Sequence, residues 1–177
     1  MPRVEYFFDY VSPFAYLADT QLPALAQRTG AEIVHRPFFL GGVMQATKNS
    51  PPITVPNKGR YMFVEIQRWA KRYGVPANPN PHFPVNTLTA MRVAVAALGE
   101  PRFGDLHRAL FRAVWVDGQN LADEAVLEAT EEAILNSLFS AETMVGRDNH
   151  TRFALPNAET VAVMRQYGHS EAHLPGE

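Results

Sequence analysis

Apolar and polar positions alternate along residues 4–9, VEYFFD, in a β-rich composition, the pattern of a half-buried strand. Ser12-Pro13 follows, an N-cap hydroxyl and then the residue favoured at the first helical position. This stretch therefore reads strand, tight turn, helix. A further helix can open at Thr20 or Gln21, run through Leu22, Leu25 and Ala26, and end at Gly30, with Pro23 tolerated in its first turn. Residues 31–40, AEIVHRPFFL, are β-branched and aromatic as far as Pro37 and predict a second strand. A β-α-β unit with parallel strands is the economical topology.

Beyond this unit the periodicity turns helical. Residues 41–59, with paired glycines and Asn, Ser, Lys and Pro, read as a loop. Phe63, Ile66, Trp69 and Ala70 then recur at helical spacing over 60–73, with Gly74 as a stop, and predict a core-facing stripe. Four prolines in 75–85 resist regular structure. A helix is expected from Asn86, its N-cap, to just before Gly99. Another spans 103–115 with Leu106, Leu110, Phe111 and Val114 as its buried face, and after the Asp117-Gly118 turn residues 121–138 continue helical. Residues 60–138 thus form a helical block between the first β-α-β unit and the strands that close the sheet. A last helix is expected over 156–167.

A chain of 177 residues with 46% hydrophobic content can bury one substantial core. Sixteen basic against 18 acidic residues give a net charge of −2, so bulk electrostatics offers no reason to expect nucleic acid or an anionic membrane as partner. The N-terminus lacks the apolar core of a signal peptide, and no run approaches the roughly 20 apolar residues needed to cross a bilayer, so a cytoplasmic location is expected. The chain has no cysteine, which excludes thiol–disulfide exchange by its own side chains. Any thiol must come from a ligand. No metal is expected: His35 reads as a structural histidine without a second ligand at metal spacing, His82 as incidental, and His169 and His173 lack a third ligand.

The candidate chemistry sits at Ser12, where a strand exit meets a helix mouth and can aim a hydroxyl and backbone N–H groups at an anion. Taken alone, Ser-Pro at a helix start favours a plain N-cap. The stretch YFFDYVSPFAYLA resembles the glutathione-dependent 2-hydroxychromene-2-carboxylate isomerases and the kappa-class glutathione transferases. Their hallmark F-D-x-x-S-P-[FY]-[AS]-[YW]-L stands here as Phe8, Asp9, Ser12, Pro13, Phe14, Ala15, Tyr16 and Leu17. Related disulfide oxidoreductases carry C-x-x-C in this turn. Further matches are N-x-P-P followed by P-x-K-G-x-Y-M, at Asn49, Pro51, Pro52, Pro56, Lys58, Gly59, Tyr61 and Met62, and N-T-L-x-A-x-R from Asn86 to Arg92.

The resemblance implies an α/β fold, a thioredoxin-like sheet interrupted by a helical insertion subdomain (DsbA-like). It implies one domain over 1–177 with the insertion at 60–138, and a homodimer. It implies glutathione as cofactor, held by Ser12, Pro13, Phe14, Asn49, Lys58 and Asp148, with Ser12 donating its hydroxyl to the bound sulfur. Phe8, Tyr16, Asn86, Thr87 and Arg92 would face a small aromatic carboxylate, with Phe14 and Phe38 among the apolar walls. Solvated surface cations remain an equal reading of Lys58 and Arg60, and a helix cap plus a surface arginine an equal reading of Asn86, Thr87 and Arg92.

The resemblance holds over 4–118, is partial to 143 and is absent beyond. Where the family presents a cis-proline against the cysteinyl unit of glutathione, this chain has Glu142. A cis bond before a non-proline costs about 2.5–4 kcal/mol, so a trans bond is expected there. The family's G-x-D-R turn has only Asp148 as a nominal counterpart. The expected function is a glutathione-dependent isomerase acting on 2-hydroxychromene-2-carboxylate or a similar aromatic-degradation intermediate. The alternatives are a kappa-like transferase, a catalytically silent relative and, least supported by motif, a Ser-His hydrolase.

Overall fold

Two parallel strands anchor the N-terminal end of the fold. β1 (Arg3–Phe8) and β2 (Glu32–Pro37) pair in register from Arg3 opposite Glu32 to Phe8 opposite Pro37. Tyr6 and Phe8 turn inward while Glu5 and Phe7 turn outward, which is the period-2 alternation of the sequence made physical. Across the exposed face Arg36 meets Glu5 at 2.7 Å and holds its carboxyl below the usual range. Between the strands lie α1 (Pro13–Asp19) and α2 (Leu22–Thr29). The second ends at Gly30, whose φ of 66° is the left-handed conformation that a C′ position requires.

The computed structural model describes residues 1–130, 144, 145, 151 and 152. The chain divides into two compact units, Met1–Thr130 and Glu131–Glu177. In the first, β2 is followed by α3 (Leu40–Ala46), a 3₁₀ turn (Pro52–Thr54), α4 (Pro56–Tyr73), α5 (Leu88–Ala96), α6 (Phe103–Trp115) and α7, helical over 124–130. In the second, β3 (Met144–Val145) and β4 (Thr151–Arg152) pair antiparallel. The closing helix expected over 156–167 lies outside the described residues.

The expected loop at 41–59 is corrected. It holds α3 and the 3₁₀ turn, and α4 begins at Pro56 rather than near residue 60. Composition misleads here because its glycines serve packing. A Cβ at Gly41 or Gly42 would lie 3.1 or 3.0 Å from the Phe39 ring, and one at Gly59 would lie 3.2 Å from the Ile53 Cα. These glycines let a ring and a 3₁₀ backbone press on helices, which outweighs their poor propensity.

The core forms where α4, α5 and α6 meet β1 and α1. Phe8, Tyr10, Leu110, Phe111, Val114 and Trp115 are all buried. The Phe8 ring lies 4.5 Å from His107 and 5.4 Å from both Tyr6 and Tyr10. On α4 the buried stripe is Gly59, Met62, Ile66 and Ala70; Trp69 instead faces outward, its ring tilted against Tyr73 and under Arg72. The α4 register is set by the i, i+4 spacing of its smaller residues, not by its largest ring. Irregular residues 75–85 are stitched to the end of α6 by Asn80, whose Nδ2 donates to Val114 O and Gln119 O, each at 2.9 Å.

Gly59 and Gly104 give a paired test. Gly104→Ala meets only the far end of Arg108, so it should raise stability by up to about 1 kcal/mol. Gly59→Ala meets Ile53 backbone and should lower the melting temperature. Equal gains in thermal melts would refute the packing role of Gly59.

Candidate active site

Ser12 is the N-cap of α1, and its Oγ accepts from the Ala15 amide at 3.2 Å. That bond uses an oxygen lone pair, so the hydroxyl proton remains available to donate elsewhere. The Ser12 amide is spent on Asp9 O at 2.9 Å. Ser12 opens into a cavity of about 390 Å³. Pro13 and Phe14 line it from α1, Phe39, Leu40 and Met44 from the start of α3, Met62 from α4, and Phe83 to Thr87 from the segment entering α5. The Phe83–Pro84 bond in that segment is cis.

The lining is almost wholly apolar. Thr87 is fully buried and commits its hydroxyl to Asp9 Oδ1 at 2.5 Å. The N-cap of α5 is Thr87 rather than the expected Asn86, whose side chain, one residue earlier, accepts from the Leu88 amide at 3.1 Å. Among the described residues, Ser12 therefore carries the one hydroxyl of the lining that is not already committed as a donor.

Asp9 lies just behind this wall, 1% exposed. Oδ1 accepts from the Val11 amide at 3.0 Å and from Thr87, and Oδ2 accepts from the Leu40 amide at 2.7 Å. Burial raises its pKa, and these three donors oppose that shift. The turn bearing Ser12, the start of α3 and the start of α5 thus converge on one carboxylate.

The residues expected at the site separate into groups. Ser12, Pro13, Phe14, Asn86 and Thr87 line the cavity together. Phe8 and Tyr16, expected as walls, are corrected to core positions: Phe8 is fully buried among aromatic rings, and Tyr16 donates its hydroxyl to Pro76 O at 2.6 Å. Alternation along β1 decides the first, since Phe8 shares the inward face of Tyr6. Asn49 and Lys58 are exposed and outside the lining, and the Asn49 side chain accepts from the Ser50 amide at 2.8 Å. Arg92 and Phe38 line a second cavity of about 360 Å³, which shares Phe39 with the first. Asp148 and Glu142 lie outside the described residues. Sequence reasoning missed Phe39, Leu40, Met44 and Val85 as lining residues, and it treated Asp9 only as a motif letter. The acid fixed three residues before Ser12 was the signal that could have found it.

Residues 3–144 match the DSBA-like thioredoxin domain. The chain belongs to that family. Its DsbA-like relatives include the 2-hydroxychromene-2-carboxylate isomerase of Sphingobium xenophagum, 30% identical over 133 residues, 74% of this chain and 67% of the relative. Glutathione S-transferase kappa 1 of Caenorhabditis elegans is 37% identical over 84 residues, 47% of this chain and 37% of the relative. Kappa 1 of Rattus norvegicus is 29% identical over 141 residues, 75% of this chain and 62% of the relative. The chain thus spans about two thirds or less of these relatives' lengths. A solved structure of selenomethionine 2-hydroxychromene-2-carboxylate isomerase aligns with a TM-score of 0.61, covering 96% of this chain and 100% of that one. At 23% identity this likeness establishes the shared DsbA-like thioredoxin fold, as expected from the sequence.

The Asp9 tie predicts a pH signature. A folded-state pKa above the unfolded value means that the native state holds the proton more tightly. The stability this gives is full below the ordinary carboxylate range and is lost as pH rises through the folded pKa. Thr87→Val removes a donor to the ionised form, so it should cost about 1–3 kcal/mol near neutral pH and less in acid, where Asp9 is protonated. Thr87→Ser should restore most of the loss. Urea unfolding at several pH values measures both, and a pH-independent deficit would refute the link.

Proposed function

We propose that the protein is a glutathione-dependent isomerase acting on 2-hydroxychromene-2-carboxylate or a similar aromatic-degradation intermediate. The observation that carries this reading is Ser12: its oxygen is anchored by the Ala15 amide, and its proton is free to point into an apolar cavity. A chain without cysteine has no thiol of its own to place there.

Glutathione, when bound, supplies the thiolate that adds reversibly to a conjugated substrate and so permits rotation about a bond that was double. Everything else falls to the protein. A free thiol has a pKa of about 8.5, and a hydroxyl donating to sulfur favours the anion through a charge-assisted hydrogen bond. The apolar walls exclude water, which strengthens that bond. Phe14, 46% exposed at the cavity's edge, offers a face to an aromatic substrate. Arg92, in the cavity that shares Phe39, offers a bidentate partner for the substrate carboxylate. Exposed Lys58 and Arg60 at the start of α4 would offer cations to the carboxylates of the tripeptide. A homodimer and a cytoplasmic location belong to the same reading, as do the absence of nucleic-acid and membrane partners. No described helix is long and apolar enough to cross a membrane.

The relationship to kappa-class transferases favours a second reading, in which the same Ser12 site leaves sulfur on an electrophile. Product analysis separates the two: an isomerase returns glutathione unchanged. A Ser-His hydrolase gains no support, because no histidine or acid of the described residues lines the cavity.

Calorimetric titration of the purified protein with glutathione should show saturable binding. Ser12→Ala should lower isomerase turnover by about 10²-fold, while losing only the cap, about 0.5–2 kcal/mol of stability. An unaltered rate in that variant would remove Ser12 from the mechanism, and absence of binding in the wild type would point to a catalytically silent relative.

A further inference from the structure

A second cluster of chemistry-bearing groups lies away from Ser12, at the other end of α1. Asp19, the last residue of α1, His35 of β2 and His107 of α6 bring one ligand atom each within 4.8 Å of one another. They are separated by 16 and 72 residues of sequence, so no local spacing reveals them. We propose that Asp19, His35 and His107 form a binding site for a divalent transition-metal ion of the zinc type, clamping β2 and α6 to the end of α1.

Four observations support the assignment. The donor set, two imidazoles and one carboxylate, is the kind that borderline divalent ions take with three protein ligands and an open position. His107 is already aimed: its Nε2 lies 2.9 Å from Asp19 Oδ1, while its Nδ1 lies 3.2 Å from the hydroxyl of buried Tyr10. Tyr10 thereby fixes the ring in the manner of the outer partner that metal-bound histidines keep on their other nitrogen. The His35 ring lies edge-on to that of His107, centroids 4.9 Å apart, so the two imidazoles are already neighbours. Finally, Asp19 sits at a helix C-terminus, where the dipole disfavours an anion and a cation would relieve it.

The geometry requires only local adjustment. Ligand atoms around tetrahedral zinc stand roughly 3.3 Å apart, given metal–ligand bonds of about 2.0–2.2 Å. The Asp19–His107 pair is already near that separation, and His35 must draw in by an ångström or so. His107 is 3% exposed, whereas the Asp19 side chain is 16% exposed and His35 is half-buried, so an ion can enter from the His35 and Asp19 side. To ligate through Nε2, neutral His107 takes the tautomer with its one proton on Nδ1, which donates to the Tyr10 oxygen and leaves the Nε2 lone pair for the ion. The site is distinct from the Ser12 cavity, which lies at the opposite end of α1, about 10 Å along the axis.

The test uses the full chain after chelator dialysis. Titration with Zn²⁺, read by elemental analysis after gel filtration and by melting temperature, should give one tightly held equivalent and a rise of several degrees. His35→Ala and Asp19→Asn should each weaken binding at least tenfold, with circular dichroism unchanged. The double variant His169→Ala, His173→Ala, which removes the paired tail histidines, should retain the equivalent. Co²⁺ should give tetrahedral visible bands in the wild type that His35→Ala abolishes. The proposal falls if the wild type retains no equivalent, if both His35→Ala and Asp19→Asn bind as the wild type does, or if the tail variant alone loses the metal. Should His35→Ala fail to fold, Asp19→Asn decides.

Discussion

A buried carboxylate organises this molecule. Asp9 directly follows the first strand, is almost wholly removed from water and takes hydrogen bonds from Val11, Leu40 and Thr87. An isolated charge in such a place is strongly disfavoured, and only a full set of donors makes it tolerable. Each donor belongs to a different segment of the cavity wall. Satisfying Asp9 and assembling the site are therefore one structural event, and the turn that holds Ser12 cannot drift without leaving a buried oxygen unpaired.

The aromatic core supplies the rigidity behind that tie. Tyr10 follows Asp9 in sequence, contacts Phe111 and His107 with its ring, and accepts on its backbone oxygen from the Trp115 indole at 2.9 Å. The same α6 end takes up Asn78 and Asn80 from the proline-rich segment, which leads directly to Val85, Asn86 and Thr87. One route thus runs from core packing through an irregular segment to the cavity wall. Side-chain amides, not regular secondary structure, hold that segment, so its prolines are no liability: it forgoes donors that a helix or strand would need.

The turn that holds Ser12 resembles one in which disulfide oxidoreductases carry C-x-x-C, and this chain has no cysteine. A hydroxyl there cannot exchange disulfides, but it can donate. On the function proposed above, that hydroxyl would stabilise a sulfur brought from outside. The apolar lining suits the same task, since few protein dipoles compete with Ser12 for an anion.

The local grammar of the chain determined a large part of this by itself. Strand alternation at 4–9, the Ser12-Pro13 cap, the Gly30 and Gly74 stops and the 103–115 stripe depend on neighbours within a few residues, and each appears close to its expected place. The motif around Ser12 likewise carried the family, because capping and turn chemistry are local. The tertiary structure decided what depends on distant partners. Gly41, Gly42 and Gly59 looked like loop residues until a ring and a 3₁₀ turn proved to lie against them. Phe8 and Tyr16 share a motif with Ser12 yet turn to the core, since adjacent residues of a strand or helix face different ways. Asp9 acquired its role only when Leu40 and Thr87 arrived, 31 and 78 residues on. His35 read as solitary because its neighbours, Asp19 and His107, come from other elements. Convergence in space leaves no period in a sequence, and only folding brings it about.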